Sequence, residues 1–548
     1  MIIKLSINIF FASLFLFSCN VSQAKSQTDK PRLVVGIVID QMTNDYLVRY
    51  SSRFSETGFK RLTNGGYYFK NSNYIYVPTV TAAGHSCIYT GTIPAFNGII
   101  ANEWYNRETN EIIYCADDKN VYALGIESGR EKFSPVNLIS PTITDELIKA
   151  DSNSKVISIS LKDRGAIFPG GHLGKSFWFD NISGKFITSS YYMTSYPEWL
   201  TKFNDRNLND YYLNQVWNTL YPIETYTEST ADNVPWEGLY KGVKEPVFPY
   251  DFKELRSKNP SLIEVSPFGN SMVKELALEV LKSEKLGQGS ATDFFCISFS
   301  SPDRAGHHFG PNAIEMEDIY LRLDLELSEL LDAFDKSVGL GNILFFLTAD
   351  HGAVSAPDYL NSIGVRAGNI TTRDIRDTLN DFLYNKYSIN DGVLWIQNLQ
   401  IYLNHKSIKE QNVPLEKIQN EVSDFLLNIK GINETYTAEG ISSGIYSSLN
   451  SEFIKNGFIK EKSGDVFMVL DSNWIWNMKR GTTHGSPYKY DRNVPLIWYG
   501  WNVLHGETDE FNSQCDIAPT VSDILNINVP SKSIGKSLKG KILKPKKE

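Results

Sequence analysis

Six residues of this sequence bind metal ions well by type and fall at the ends of apolar runs or in short loops: Asp40, Asp303, His307, Asp350, His351 and His484. Carboxylate and imidazole donors without thiolate suit a catalytic zinc, which keeps one coordination position open. Asp303 and His307 stand at i,i+4, a separation that aims both side chains at one point, and Pro302 before them and Gly306 between them argue for a sharp, rigid loop. Each residue alone also has a plainer reading. Asp40 could cap a helix, Asp350-His351-Gly352 could form a turn, and His484 in Thr482-Thr483-His484-Gly485 could be a surface histidine.

A hydroxyl nucleophile belongs with such a metal set. Thr81 is followed by the small residues Ala82-Ala83-Gly84 and then by apolar Cys87-Ile88-Tyr89, the pattern of a nucleophile at a helix N-terminus. There, free backbone N–H groups and the helix dipole favour an alkoxide or a phosphate. Composition alone gives Thr79 equal standing, and an N-cap threonine would look the same.

Elements able to position these groups are legible around them. Apolar runs over residues 33–39, 156–161, 294–299 and 343–347 end at Asp40, Lys162, Ser300-Ser301 and Thr348. Their lack of polar alternation reads as buried parallel strands. Helical patterns over 272–285 and 314–333 lie between them, as in a doubly wound α/β sheet, whose ligands gather at the carboxyl ends of the strands. Segments near 180–265 and 365–475 break the rhythm and read as insertions that cap or wall the site. Residues 531–548 read as a solvated basic tail.

The chain has 548 residues, 42% of them hydrophobic and 21% charged, enough for a large folded core. A formal net charge of -9 argues against a mainly electrostatic grip on nucleic acid or anionic membranes. Lys4 and the apolar run from residue 7 to 17 predict a signal peptide over residues 1–24, hence a periplasmic or secreted protein. Ser22-Gln23-Ala24 offers a cleavage site, and Leu16-Phe17-Ser18-Cys19 offers the competing lipoprotein ending with a lipid anchor at Cys19. No later segment is long and apolar enough to span a membrane. Cys87, Cys115, Cys296 and Cys515 show no C-x-x-C spacing, which argues against a thiolate zinc site.

Taken together, the motifs resemble one family. Asp40, Pro78-x-x-Thr81-x-x-x-His85, Ser301-x-Asp303-x-x-Gly306-His307, Thr348-x-Asp350-His351-Gly352 and Thr483-His484-Gly485 occur in the order of the alkaline phosphatase superfamily. Asn102 and Lys162-Asp163-Arg164 are similar to those of its phosphate-irrepressible monoesterases, which use a threonine nucleophile. The resemblance implies an alkaline-phosphatase-like catalytic domain over residues 32–530, with helices on both faces of its sheet. It further implies two zinc ions, one held by Asp303, His307 and His484, the other by Asp40, Asp350 and His351 beside the Thr81 oxygen. Asn102, Lys162 and Arg164 would bind substrate.

Charge counting agrees with a small phosphate monoester as substrate. Two zinc ions against three carboxylates and a Thr81 alkoxide leave the site neutral, and Lys162 with Arg164 then matches a dianion. If the chain stays extended after Leu161, both cations face the same way. A nucleotide pyrophosphatase or phosphodiesterase of the same superfamily is the nearest rival, and the two cations weigh against it. A sulfatase would need C/S-x-P-x-R where Ala82-Ala83-Gly84 follows Thr81. A phosphate- or zinc-binding protein on a dead scaffold would lack a ligand or the hydroxyl, yet every position is filled. A monomer is expected.

Overall fold

A computed structural model describes residues 29–126 and 131–545; residues 1–24, read above as a signal peptide, and Cys19 lie outside the described residues. The central sheet contains β1 (Leu33–Ile39), β2 (Tyr67–Asn73), β3 (Val156–Ser160), β4 (Lys175–Asp180), β5 (Lys185–Ser189), β6 (Asp293–Phe299), β7 (Ile343–Thr348) and β8 (Asn493–Gly500). Their order across the sheet is β2-β8-β7-β1-β6-β3-β4-β5, with short edge strands beyond both ends. The five from β7 to β4 are parallel, while β8 runs against β7 and β5 against β4. The parallel strands are covered on both faces, as their unbroken apolar runs require. Along β1, Val35, Ile37 and Ile39 pack into one hydrophobic core and Val34 and Val38 into another.

The register sets where the loops begin. Ile39 pairs with Phe299, and Val38 pairs with both Ser298 and Thr348, so the segments after β1, β6 and β7 leave the sheet side by side. Helices follow: α1 (Thr81–Thr90), α2 (Asp163–Gly170), α3 (Pro267–Glu284), α4 (Ser301–Phe309) and α5 (Ile314–Ser337).

Three local readings change. The segment holding Asp303 and His307 is the helix α4, not a loop: Pro302 sits in its first turn, where proline is pre-organised for a helix, and Gly310 ends it. The chain after Leu161 does not stay extended, because Lys162 precedes α2 directly. The basic tail is packed as far as Leu543, with Leu538 and Ile542 buried in the second core. Between residues 190 and 266 lie short helices and a two-stranded ribbon. Between 365 and 475, a four-stranded sheet (Val393–Gln397, Gln400–Leu403, Ile432–Thr437 and Val466–Leu470) has a core of its own.

Candidate active site

Asp40, Lys162, Asp303 and Asp350 all come from the carboxyl ends of β1, β3, β6 and β7, where a doubly wound sheet collects its ligands. Thr81 opens α1 and is 1% exposed. The small residues after it have a steric reason. A Cβ on Gly84 would stand 2.2 Å from the Asp350 carbonyl oxygen, so glycine lets α1 lie directly on the end of β7. His85, one turn on, lies 3.0 Å by Nδ1 from the Thr81 carbonyl and 3.0 Å by Nε2 from Ser298 Oγ. It braces the turn from behind.

Three histidines share one arrangement. Nδ1 of His307 donates to Thr482 O at 2.8 Å, that of His351 to Gly352 O at 3.0 Å, and that of His484 to Thr79 O at 2.7 Å. A carbonyl only accepts, so each Nδ1 carries the proton and each Nε2 presents a lone pair. Those Nε2 atoms converge. His307 Nε2 and His484 Nε2 are 3.2 Å apart and lie 3.2 and 3.5 Å from Asp303 Oδ1. His351 Nε2 lies 3.5 Å from Asp40 Oδ1, 3.6 Å from Asp350 Oδ2 and 3.4 Å from Thr81 Oγ1. The two sets touch, because the His351 and His484 rings stack at 3.5 Å.

Electrostatics favours cation binding. Burial lowers His351 to about 4, and burial together with the His351 charge lowers His484 to about 3, so both are neutral at physiological pH, as ligands must be. At His307 the charge of Asp303 overrides burial and raises the pKa. Burial raises Asp350 to about 6, and burial with the charges of Asp303 and Asp350 raises Asp40. Asp303 goes the other way against its own burial, held well below the usual range by His307 and then Lys162. Buried carboxylates packed this closely call for positive charge.

Lys162, 3% exposed, supplies some of it. Its Nζ lies 2.6 Å from Asp40 Oδ2, 2.5 Å from Asp303 Oδ2 and 3.4 Å from Thr81 Oγ1. Arg164 lies in the first turn of α2, with Nη1 donating to Tyr114 Oη at 3.1 Å, and the charge of Asp40 acts on it. The chain turns helical between Lys162 and Arg164, so the extended geometry expected to aim both cations one way does not hold. Asn102 Oδ1 accepts from Ala82 N at 2.9 Å and so caps α1 from a distant segment. Thr79 Oγ1 faces Ser486 O at 3.3 Å rather than the carboxylates.

Sequence reasoning missed three residues that hold this arrangement. Gln41, at φ 65°, donates its N–H to Asp350 Oδ1 at 3.2 Å and its Nε2–H to Asp303 Oδ1 at 2.8 Å. Gly306 makes room for it, since a Cβ there would stand 1.9 Å from Gln41 Oε1. Asp491 Oδ2 accepts from Gly485 N and Ser486 N at 3.0 and 2.7 Å and clamps the His484 loop. Tyr114 Oη accepts from Arg164 and donates to Asp163 Oδ1 at 2.5 Å. The adjacency of Gln41 to Asp40 was the one available signal.

Known proteins share this architecture. The sequence model of the type I phosphodiesterase/nucleotide pyrophosphatase family matches residues 34–493. Alkaline phosphatase PhoV of Synechococcus elongatus is 43% identical over 536 residues, 96% of this chain and 97% of that protein. Alkaline phosphatase PafA of Elizabethkingia meningoseptica is 39% identical over 523 residues, 94% of this chain and 95% of that one. The crystal structure of wild-type PafA superposes with a TM-score of 0.91 at 38% identity, covering 94% of this chain and 99% of that chain. The chain belongs to the type I phosphodiesterase/nucleotide pyrophosphatase family of the alkaline phosphatase superfamily, among its alkaline phosphatases.

Proposed function

We propose that this chain hydrolyses small phosphate monoesters through a phosphothreonine on Thr81 at a two-zinc site. One observation carries the reading. His307, His351 and His484 each give Nδ1–H to a backbone carbonyl and turn Nε2 toward Asp40, Asp303 and Asp350 beside Thr81 Oγ1. Mixed imidazole and carboxylate donors with fixed tautomers suit catalytic zinc. Asp303, His307 and His484 would hold one ion, and Asp40, Asp350 and His351 the other. Bound there, the ions supply Lewis acidity that makes a hydroxyl and a water nucleophilic near neutral pH and steadies the leaving oxygen.

Thr81 loses its proton and attacks phosphorus; the P–O bond to the leaving group breaks opposite, and the alcohol departs with a proton. Water then attacks the phosphothreonine, restores the Thr81 hydroxyl and releases inorganic phosphate. Two inversions retain configuration. The start of α1 and its helix dipole lie beside the transferred phosphoryl, with Asn102 Oδ1 accepting from Ala82 N and setting that turn. Lys162 and Arg164 bring positive charge to a dianion, while Gln41 and Asp491 hold the ligands still. The signal segment supports export to the periplasm or beyond, with action as a monomer and, if Cys19 is retained, on a lipid anchor.

The test compares an aryl phosphate with its methyl diester while zinc content is measured. Faster turnover of the monoester with about two zinc ions per chain supports the reading. Preference for the diester overturns it in favour of a phosphodiesterase.

A further inference from the structure

Behind the catalytic groups, a second acidic cluster has no part in the chemistry above. Glu237 and Glu315 are both 0% exposed. Neither carboxylate oxygen of Glu237 has a hydrogen-bond partner, and Glu315 Oε2 has none. The other Glu315 oxygen accepts from Tyr250 Oη at 2.5 Å. Thr230 stands close by, but its hydroxyl donates to Asn312 O at 3.1 Å. Asn312 Oδ1 is also buried and unpartnered.

Among the described residues, the Glu237 and Glu315 carboxylates form no salt bridge with a cation, and the charges around them are negative. The charges acting on Glu237 come from Glu315 and Asp232, and those on Glu315 from Asp232 and Asp318. Asp318 is engaged by Trp217, Tyr226, Leu220 and Arg322, and Glu317 has Arg53 at 3.5 Å. Arg480 gives its Nη1–H to the Glu237 backbone carbonyl rather than to the carboxylate. Burial first, and then mutual repulsion, hold both glutamates above the usual carboxylate range. Two dry carboxylates with unmatched oxygens must either take up protons or be joined by a cation.

We propose that Glu237 and Glu315, with oxygen donors from the Asp232 and Asn312 segments, bind one calcium ion. The donors are all oxygen, which suits a hard cation and not zinc. Two carboxylates alone do not fill a calcium shell, so amide and carbonyl oxygens complete it. Calcium tolerates that irregular geometry, whereas magnesium demands a near-ideal octahedron. Two carboxylates also balance its charge.

The location gives the ion a task. Gly238 N donates to His308 O, beside the ligand His307. Gly481 N donates to Trp236 O, and Gly481 lies so close to His307 O that a Cβ there would come within 2.0 Å of it. Glu315 sits in the first turn of α5. A cation there ties the 190–266 segment to α4, α5 and, through Gly481, the loop that carries His484. It is a brace for ligands, not a third catalytic ion.

The test uses the full-length, zinc-loaded protein freed of calcium with a calcium-selective chelator, with zinc content verified afterwards. Wild type should bind one equivalent of Ca2+ by titration calorimetry, in the range of about 10⁻⁴ to 10⁻³ M or tighter, and its Tm should rise by a few degrees in millimolar Ca2+ but not Mg2+. Glu237→Gln and Glu315→Gln should each lose the calorimetric signal and the Tm response while keeping zinc. If wild type shows neither binding nor a Tm shift, the carboxyls are simply protonated and the proposal is wrong. It is equally wrong if wild type binds calcium and both Gln variants, folded by circular dichroism, still bind it.

Discussion

His484 Nδ1 donates to the carbonyl oxygen of Thr79 at 2.7 Å, so the backbone two residues before Thr81 orients the His484 ring. The Thr79 side chain meanwhile faces Ser486. Both contacts make Thr79 part of the wall and leave Thr81 Oγ1 as the hydroxyl near His351 and Lys162. We expect Thr81→Ala to abolish the phosphoenzyme and Thr81→Ser to retain substantial activity. Thr79→Ala, which deletes one hydroxyl contact, should cost less than about tenfold. Acid-quenched phosphopeptide mapping checks this, and phosphate on any residue but Thr81 would refute the assignment.

Prolonged chelation should remove about two zinc ions per chain and all activity, with zinc restoring both. Gln41→Ala should weaken zinc retention by about 10- to 100-fold, the usual cost of losing a partner that orients ligands. Competition with a chromophoric chelator measures it. Unchanged zinc affinity would show that the contacts of Gln41 to Asp303 and Asp350 do not position them.

How much of this site the sequence carries depends on whether a signal is local. Asp40 and Asp350 were legible because parallel strands buried on both faces read as unbroken apolar runs that stop where the loop begins. Asp303 and His307 were found by spacing, although α4 looked like a loop: Gly306 suggests a turn until one sees that it admits Gln41. The helical turn between Lys162 and Arg164 was hidden because α2 is short and contains Pro169, Gly165 and Gly170, all poor helix formers. Tyr114 and Asp491 have roles set only by tertiary contact, which no local pattern records.

Glu326 gives a pH prediction away from the metals. Burial raises it to about 8, and Ser271 Oγ donates to one oxygen at 2.5 Å. A raised carboxyl binds its proton more tightly in the folded chain than in the unfolded one. Its contribution to stability is thus complete below about pH 4.5 and lost as pH rises through about 8. Glu326→Gln keeps a neutral acceptor there, so its stability relative to wild type should grow between pH 5 and 9, by roughly 2 to 4 kcal/mol. Chemical denaturation at several pH values measures this; a pH-independent difference would mean that Glu326 is not held protonated.

Arg164 and Lys162 now separate into two experiments rather than one. Lys162 lies between Asp40 and Asp303, so Lys162→Ala removes a counter-charge to ligand carboxylates as well as a cation near Thr81. Its losses should therefore appear on monoester and diester alike, accompanied by altered zinc affinity. Arg164 touches no ligand carboxylate; its recorded contact is with Tyr114. Arg164→Ala should leave zinc in place and cost roughly 2 to 4 kcal/mol, about 30- to 1,000-fold in kcat/KM, on the monoester, by analogy with the loss of an oxyanion donor. The methyl diester lacks one charged oxygen and should lose less. Tyr114→Phe, which frees Arg164 from its anchor without removing the charge, should reduce monoester kcat/KM by about 2- to 12-fold, the worth of one hydrogen bond. These variants, measured on both substrates with zinc content checked, distinguish a grip on the dianion from a general effect on the site. Equal losses on the two esters for Arg164→Ala would show that Arg164 does not set the preference for monoesters, and discrimination would then rest with Asn102, Lys162 and the metals.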